Sequence, residues 1–209
     1  QIFCFAYNNL LQKLIKTISV NDPTFLNQQT VFHLGESHCL SFAHKQIKIQ
    51  GVDYTIAPRI TFGGKVYHIF RKEKDSFKAI TKANFDSIPE VSKVFISFGE
   101  IDCRPNEGFI YAASKLNRTT EDLIVETVRG YINWFAEQNQ NKNHSLFFFN
   151  VPAPIYNEKF TTKVNKEVMS IIKLFNSSIH KAVLDYDFNI IDVYKFTVGN
   201  DGFSNGSFH

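Results

Sequence analysis

The stretch "TVFHLGESHCLSF", residues 30–42, changes character at Gly35. Thr30 to Leu34 is a short apolar run closed by a glycine, which reads as a buried strand. Residues from Ser37 to about Ile47 can form a helix. Such a junction exposes the residue that sits on it, here Ser37. Two uses of a serine fit the place. Its hydroxyl can cap the helix by accepting from a backbone N–H. Alternatively, it can act as a nucleophile beside the free N–H groups of the helix start, which stabilise an oxyanion.

Moving outward, strands and helices keep alternating. Tyr54 to Ala57 is a second strand, ended by Pro58, and Gly63-Gly64 marks a turn. Residues 74–83 read as a helix, Lys93 to Phe98 as a strong strand, and residues 121–136 as a helix with Ile124, Val128, Ile132 and Phe135 on one side. Ser145 to Phe149 is a strand, residues 161–183 a long helix, and Asn189 to Val193 the last strand. Strands apolar on both faces belong in a parallel sheet covered on both sides. Right-handed crossovers then give a three-layer α/β/α sandwich with a five-stranded parallel sheet, flavodoxin-like in plan. Ahead of it, "NNLLQKLIKTI" (8–18) brings Leu10, Leu11, Leu14, Ile15 and Ile18 to one face at helical spacing. Two units are therefore expected: an N-terminal helical extension over 1–29 and an α/β domain over 30–209.

Composition excludes several function classes. Of 209 residues, 44% are hydrophobic and 21% charged, which suits one globular core. The net charge of +3 is scattered. The densest basic patch, Arg71-Lys72-Glu73-Lys74, contains an acid, so no nucleic-acid surface is expected. Cys4, Cys39 and Cys103 show no metal-ligand spacing, and there is no HExxH pattern, so neither a metal nor a cofactor is expected. Apolar runs fall well short of the roughly 20 residues that span a bilayer, which excludes a membrane partner. No signal-peptide pattern is present, and the expected location is the cytoplasm. The N-x-[ST] matches at Asn117, Asn143, Asn176 and Asn205 carry no weight in so Asn-rich a chain.

In this architecture ligands bind beyond the carboxyl ends of the strands, where the strand order reverses. The polar residues at those ends are Glu36, Ser37 and His38; then Arg59, Thr61, Gly63 and Gly64; then Glu100, Asp102 and Arg104; then Asn150; and finally Tyr194, Asn200 and Asp201. Gly63-Gly64 can bring a second backbone N–H to an oxyanion or simply make a tight turn. Glu100, Asp102 and Arg104 can form an ion-pair network or include a catalytic acid. Asn150 can orient a substrate or support the proline-rich turn after it. Cys39 and Cys103 can pair or remain separate buried thiols.

"GESH" (35–38), Gly64 and "FGEID" (98–102), in this order, resemble blocks of the SGNH, or GDSL-type, hydrolase superfamily. Glu36 stands where that family usually has Asp, and Ile101 where it carries an oxyanion Asn. The resemblance implies Ser37 as nucleophile, Gly64 as an oxyanion donor and Asp102 as the matching acid of the third block. It implies a serine-dependent esterase or acyltransferase acting without cofactor on small, acetyl-like esters, including esters on carbohydrate. The family's closing Asp-x-x-His, whose His is the general base, is absent from the chain. It is expected just past residue 209, in a longer polypeptide with further domains, with His209 as the other candidate base. The competing reading is a non-catalytic α/β binding module whose hydrolase site is degenerate and whose rim holds a glycan or a protein.

Overall fold

The computed structural model describes residues 29–71, 73 and 75–206. The expected N-terminal helix and His209 lie outside them. The centre is a six-stranded sheet in the order β2-β3-β1-β4-β5-β6. Its strands are β1 (Gln29–Gly35), β2 (Gln46–Ile49), β3 (Val52–Ile60), β4 (Lys93–Ser97), β5 (Ser145–Phe149) and β6 (Asn189–Ile191). β1 lies parallel between β3 and β4, and β4, β5 and β6 continue in parallel. β2 is antiparallel to β3.

The sheet thus corrects the expectation of five parallel strands. The helix expected from Ser37 to Ile47 is a 3-10 turn over Ser37–Phe42, followed by β2. The turn cannot continue past His44, which takes φ 60. Gln50 and Gly51, with φ 51 and 83, then make the two-residue turn that matches hairpin twist. β3 also runs through Pro58, where a break was expected. β2 pairs only with Val52–Thr55, so Pro58 lies on an open edge where a missing N–H costs no ladder bond.

Helices flank the sheet in three α/β/α layers. They are α1 (Val66–Phe70), α2 (Ser76–Asp86), α3 (Phe109–Leu116), α4 (Thr120–Asn139), α5 (Thr162–Leu184) and α6 (Val193–Thr197). Asp75, Thr119 and Thr161 cap α2, α4 and α5, each accepting from the backbone N–H three residues on. One sheet face carries Phe32, Leu34, Val94, Ile96, Leu146 and Phe148, buried against Phe85, Val128, Phe135 and Phe175 of the helices. The opposite face carries Val31, Tyr54, Ile56 and Phe95, with Phe147, Phe149 and Ile191 beside them. No helix among the described residues is long and apolar enough to cross a membrane.

Among the parallel strands the order reverses at β1. The chain leaves β1 for β3 on one side and later returns past it to β4 on the other. The crevice outside the carboxyl ends of β1 and β4 is where this topology places a ligand.

Candidate functional site

At the end of β1 two strands come unusually close. The Glu36 N–H donates to the Ser97 carbonyl at 3.2 Å, and Thr61 N–H donates to the Gly35 carbonyl at 2.8 Å. A Cβ on Gly35 would come within 2.5 Å of that Ser97 oxygen, so only glycine fits. This joint turns Glu36 inward, 2% exposed, and leaves Ser37 and His38 at the surface.

Successive residues of a 3-10 turn point about 120° apart. Cys39 therefore faces inward, and burial pushes its thiol up to about 12. Glu36, and not Ser37, occupies the cap position, and no side chain caps the turn. The Ser37 hydroxyl is exposed and has no hydrogen-bond partner among the described residues.

Glu36 organises the rim. Its Oε1 accepts from the Glu100 N–H at 3.1 Å and lies 3.8 Å from His38 Nδ1. Its Oε2 is buried without a partner among the described residues. The Glu36 carboxylate holds the His38 pKa above its ordinary value, while partial burial works against it. The Glu100 carboxylate is gripped by Arg104, Nη2 donating to Oε2 at 2.8 Å, and Arg104 Nη1 also donates to Glu107 at 2.9 Å. Glu36, His38 and Glu100 are close enough to be considered as metal ligands, their ligand atoms lying within 4.8 Å of one another. The Arg104 guanidinium, however, already neutralises Glu100.

Other residues named from the sequence have their polar atoms engaged. Gly64 N–H donates to the Thr61 carbonyl at 3.0 Å, closing a turn in which Gly63 takes φ 68. Asp102 is buried, and its carboxylate accepts from the N–H groups of Val66 at 2.8 Å and Tyr67 at 3.1 Å. Asn150 Nδ2 donates to Asp192 Oδ1 at 2.7 Å, and its Oδ1 accepts from Tyr194 N–H at 3.0 Å, tying β5 to α6. Cys39 and Cys103 are free, buried thiols.

Two groups were missed in the sequence. Glu36 was placed at the rim and read as a substitution for Asp, but its part as the buried anchor was not seen. His33, inside an apolar strand, lies with Nε2 2.9 Å from Ser97 Oγ and its ring among Phe42, Phe95 and Phe149. Burial lowers its pKa to about 4, so it is neutral at pH 7. A histidine alternating into a strand was the available signal.

A cleft of about 340 Å³ opens beside the 3-10 turn. Phe42, Phe98, Phe149 and Phe196 form its apolar walls, and Glu36, His38, Ser97 and Asn150 its polar side. A second cleft, of similar size, lies across His38 and Glu100 and includes Arg104, Asn157 and Asn165.

No protein-family model and no curated protein matches the chain by sequence. Solved structures do. A phospholipase A1 from Streptomyces albidoflavus is 11% identical, with 80% of each chain covered and a TM-score of 0.52. A GDSL-like lipase from Bacteroides thetaiotaomicron is 18% identical over 85% of this chain and 75% of that one, with a TM-score of 0.50. An acetyl xylan esterase is 13% identical over 80% and 78%, with a TM-score of 0.50. At such identities the likeness speaks for architecture alone: the chain shares the fold of these three structures.

Proposed function

We propose that this chain is a serine-dependent esterase or acyltransferase that takes small, acetyl-like acyl esters, including esters on carbohydrate. The observation that carries this reading is the position of Ser37. It stands exposed and unpartnered among the described residues, at the carboxyl end of β1 where the strand order reverses, and although it does not itself line the apolar cleft, its neighbours Glu36 and His38 do. The cleft is near the small end of the roughly 300–1,000 Å³ usual for ligand sites, which suits a short acyl group. The resemblance to an acetyl xylan esterase fold points the same way.

In this reading Ser37 Oγ attacks the ester carbonyl and its proton passes to a histidine. His38 is turned about 120° away on the 3-10 turn and does not serve. The base is assigned to the C-terminal segment, outside the described residues. The Ser37 N–H has no acceptor among the described residues and receives the oxyanion. Gly64 N–H would join it only by leaving its turn. Asp102 acts as a positioning residue through α1. The tetrahedral intermediate then collapses to an acyl-serine: the C–O bond to the alcohol breaks and the histidine returns its proton to the departing oxygen. Water or an acceptor hydroxyl cleaves the acyl-serine in turn.

The second reading, a binding module with a degenerate site, is favoured by one specific fact. Gly64 and Asp102 spend their polar atoms inside the fold. Incubation with a fluorophosphonate serine probe separates the two readings. Labelling that disappears in Ser37→Ala, with the circular dichroism unchanged, supports the esterase. Labelling that persists in Ser37→Ala removes that serine. No labelling of a folded chain turns the case to glycan binding, measurable by calorimetry.

A further inference from the structure

His33 is a buried polar side chain that the reaction proposed above does not use. In the register of β1 and β4 it lies opposite Phe95, while Gly35 lies opposite Ser97. Side chains two apart on a strand share a face, so His33 and Ser97 are diagonal neighbours. Gly35 makes room for this diagonal, because a Cβ there would overlap Ser97 Oγ. His33 is 1% exposed, with Nε2 2.9 Å from Ser97 Oγ and Nδ1 buried without a partner among the described residues. A neutral imidazole carries one proton, on Nδ1 or on Nε2. On Nδ1 it would be a buried donor with no acceptor, among the rings of Phe42, Phe95 and Phe149. On Nε2 it meets Ser97 Oγ, and only a lone pair on Nδ1 is left unmatched. Buried N–H groups without partners are rarer than buried acceptors without them. Nε2–H therefore donates to Ser97 Oγ, and the hydroxyl proton of Ser97 must point elsewhere. Among the described residues Ser97 Oγ has no other partner. Ser97 lines the apolar cleft with Phe42, Phe98, Phe149 and Phe196.

We propose that Ser97 is a hydrogen-bond donor to an oxygen of a ligand in this cleft, held in that role by His33, and that the ligand is a neutral molecule with an apolar group and a carbonyl oxygen. The carbonyl accepts the Ser97 proton while the apolar group leaves water for the phenylalanine walls. Glu36 and Glu100 line the same cleft, and among the described residues no lysine or arginine does. A carboxylate would meet like charge there. An ammonium has no lone pair to accept the proton. Ser97 is thus a specificity-determining residue and His33 a positioning residue. This assignment concerns binding alone and stands whether or not Ser37 is a nucleophile.

The test uses the full chain and two neutral probes, 2-hexanone and toluene, with the backbone amide shifts of Phe98 and Phe149 followed by NMR titration. Both probes should give saturable shifts in the native chain. Ser97→Ala should weaken 2-hexanone about 5-fold, the scale of one neutral hydrogen bond, and spare toluene, which has no oxygen to accept the proton. A distorted cleft would weaken both, so equal losses would overturn the proposal, as would the absence of a saturable 2-hexanone shift. Pentanoate, which puts a carboxylate on the same butyl chain, should bind more weakly than 2-hexanone; tighter binding would overturn the neutral class. The imidazole ¹⁵N shifts of His33 report which ring nitrogen holds the proton. Nε2 is expected, and a proton on Nδ1 would overturn the role given to His33. His33→Phe frees the Ser97 hydroxyl to rotate and should also weaken 2-hexanone while sparing toluene.

Discussion

Asp102 accepts a hydrogen bond from the backbone N–H of Val66 at 2.8 Å, across 36 residues of sequence, and a second from Tyr67 at 3.1 Å. The loop after β4 is thereby fastened to the first turn of α1, whose opening N–H groups have no partner within the helix. Burial pushes this carboxyl up to about 7, although both N–H groups pull it down. Asp102→Asn keeps one acceptor and turns an NH₂ toward the other N–H. The orphaned donor should cost about 1–3 kcal/mol, read from urea unfolding. An unchanged midpoint would mean that the clamp contributes nothing.

Glu36 and His38 make the second prediction. Glu36→Gln retains an oxygen for the Glu100 N–H but removes the charge facing His38 Nδ1. A histidine with a raised folded pKa contributes stability that is complete below its ordinary value and is lost as pH rises through the folded value. In Glu36→Gln that contribution should vanish, and the His38 titration should move down. Imidazole NMR shifts against pH measure it directly. A titration that stays in place would assign the shift to Glu100 instead.

Much of this site was legible in the sequence because parallel strands, buried on both faces, read as apolar runs whose ends can be located. Ser37, Glu100 and Asn150 could be placed at one edge on that basis alone. What sequence hid was which polar atoms were already in use. The partners of Asp102 lie in α1, a five-residue helix too short to show a periodicity. β2 was hidden for a related reason. Its four residues, Gln46–Ile49, alternate as an edge strand does, but they follow a segment that also permits a helix. His33 escaped notice because one polar residue does not disturb an apolar run.

Gly35→Ala is the third prediction. The added Cβ would press on the Ser97 carbonyl oxygen, which belongs to the backbone and cannot move without disturbing β4. The Glu36 N–H bond to that oxygen and the inward turn of Glu36 depend on the same contact. Loss of stability of about 1–3 kcal/mol is expected, as for other overpacked core sites. His38 should also return toward its ordinary titration, since its carboxylate partner moves. Normal stability with a native His38 titration would show that the joint tolerates a methyl group.

The last prediction sets His33 against Asp102. Burial lowers the His33 pKa to about 4, so between the ordinary histidine value and that point the unfolded chain binds a proton that the folded chain refuses. Stability from this source falls as pH falls, by roughly 3 kcal/mol over the full window. Asp102 works in the opposite sense. Its folded pKa of about 7 means that the folded chain holds a proton the unfolded chain has lost, and stability falls as pH rises. The two slopes oppose each other from about pH 4.5 to 6.5, so from this pair the native chain should show little net dependence there. His33→Phe fits among Phe42, Phe95 and Phe149 and leaves the partly exposed Ser97 hydroxyl to water. It should leave the Asp102 slope, with stability decreasing as pH rises. Asp102→Asn should leave the His33 slope, with stability increasing as pH rises. Urea midpoints for the three chains across that window read both slopes. Parallel curves for all three would remove both groups as sources of pH dependence, whereas opposite tilts would show that two buried groups on either side of the β1–β4 joint balance one another.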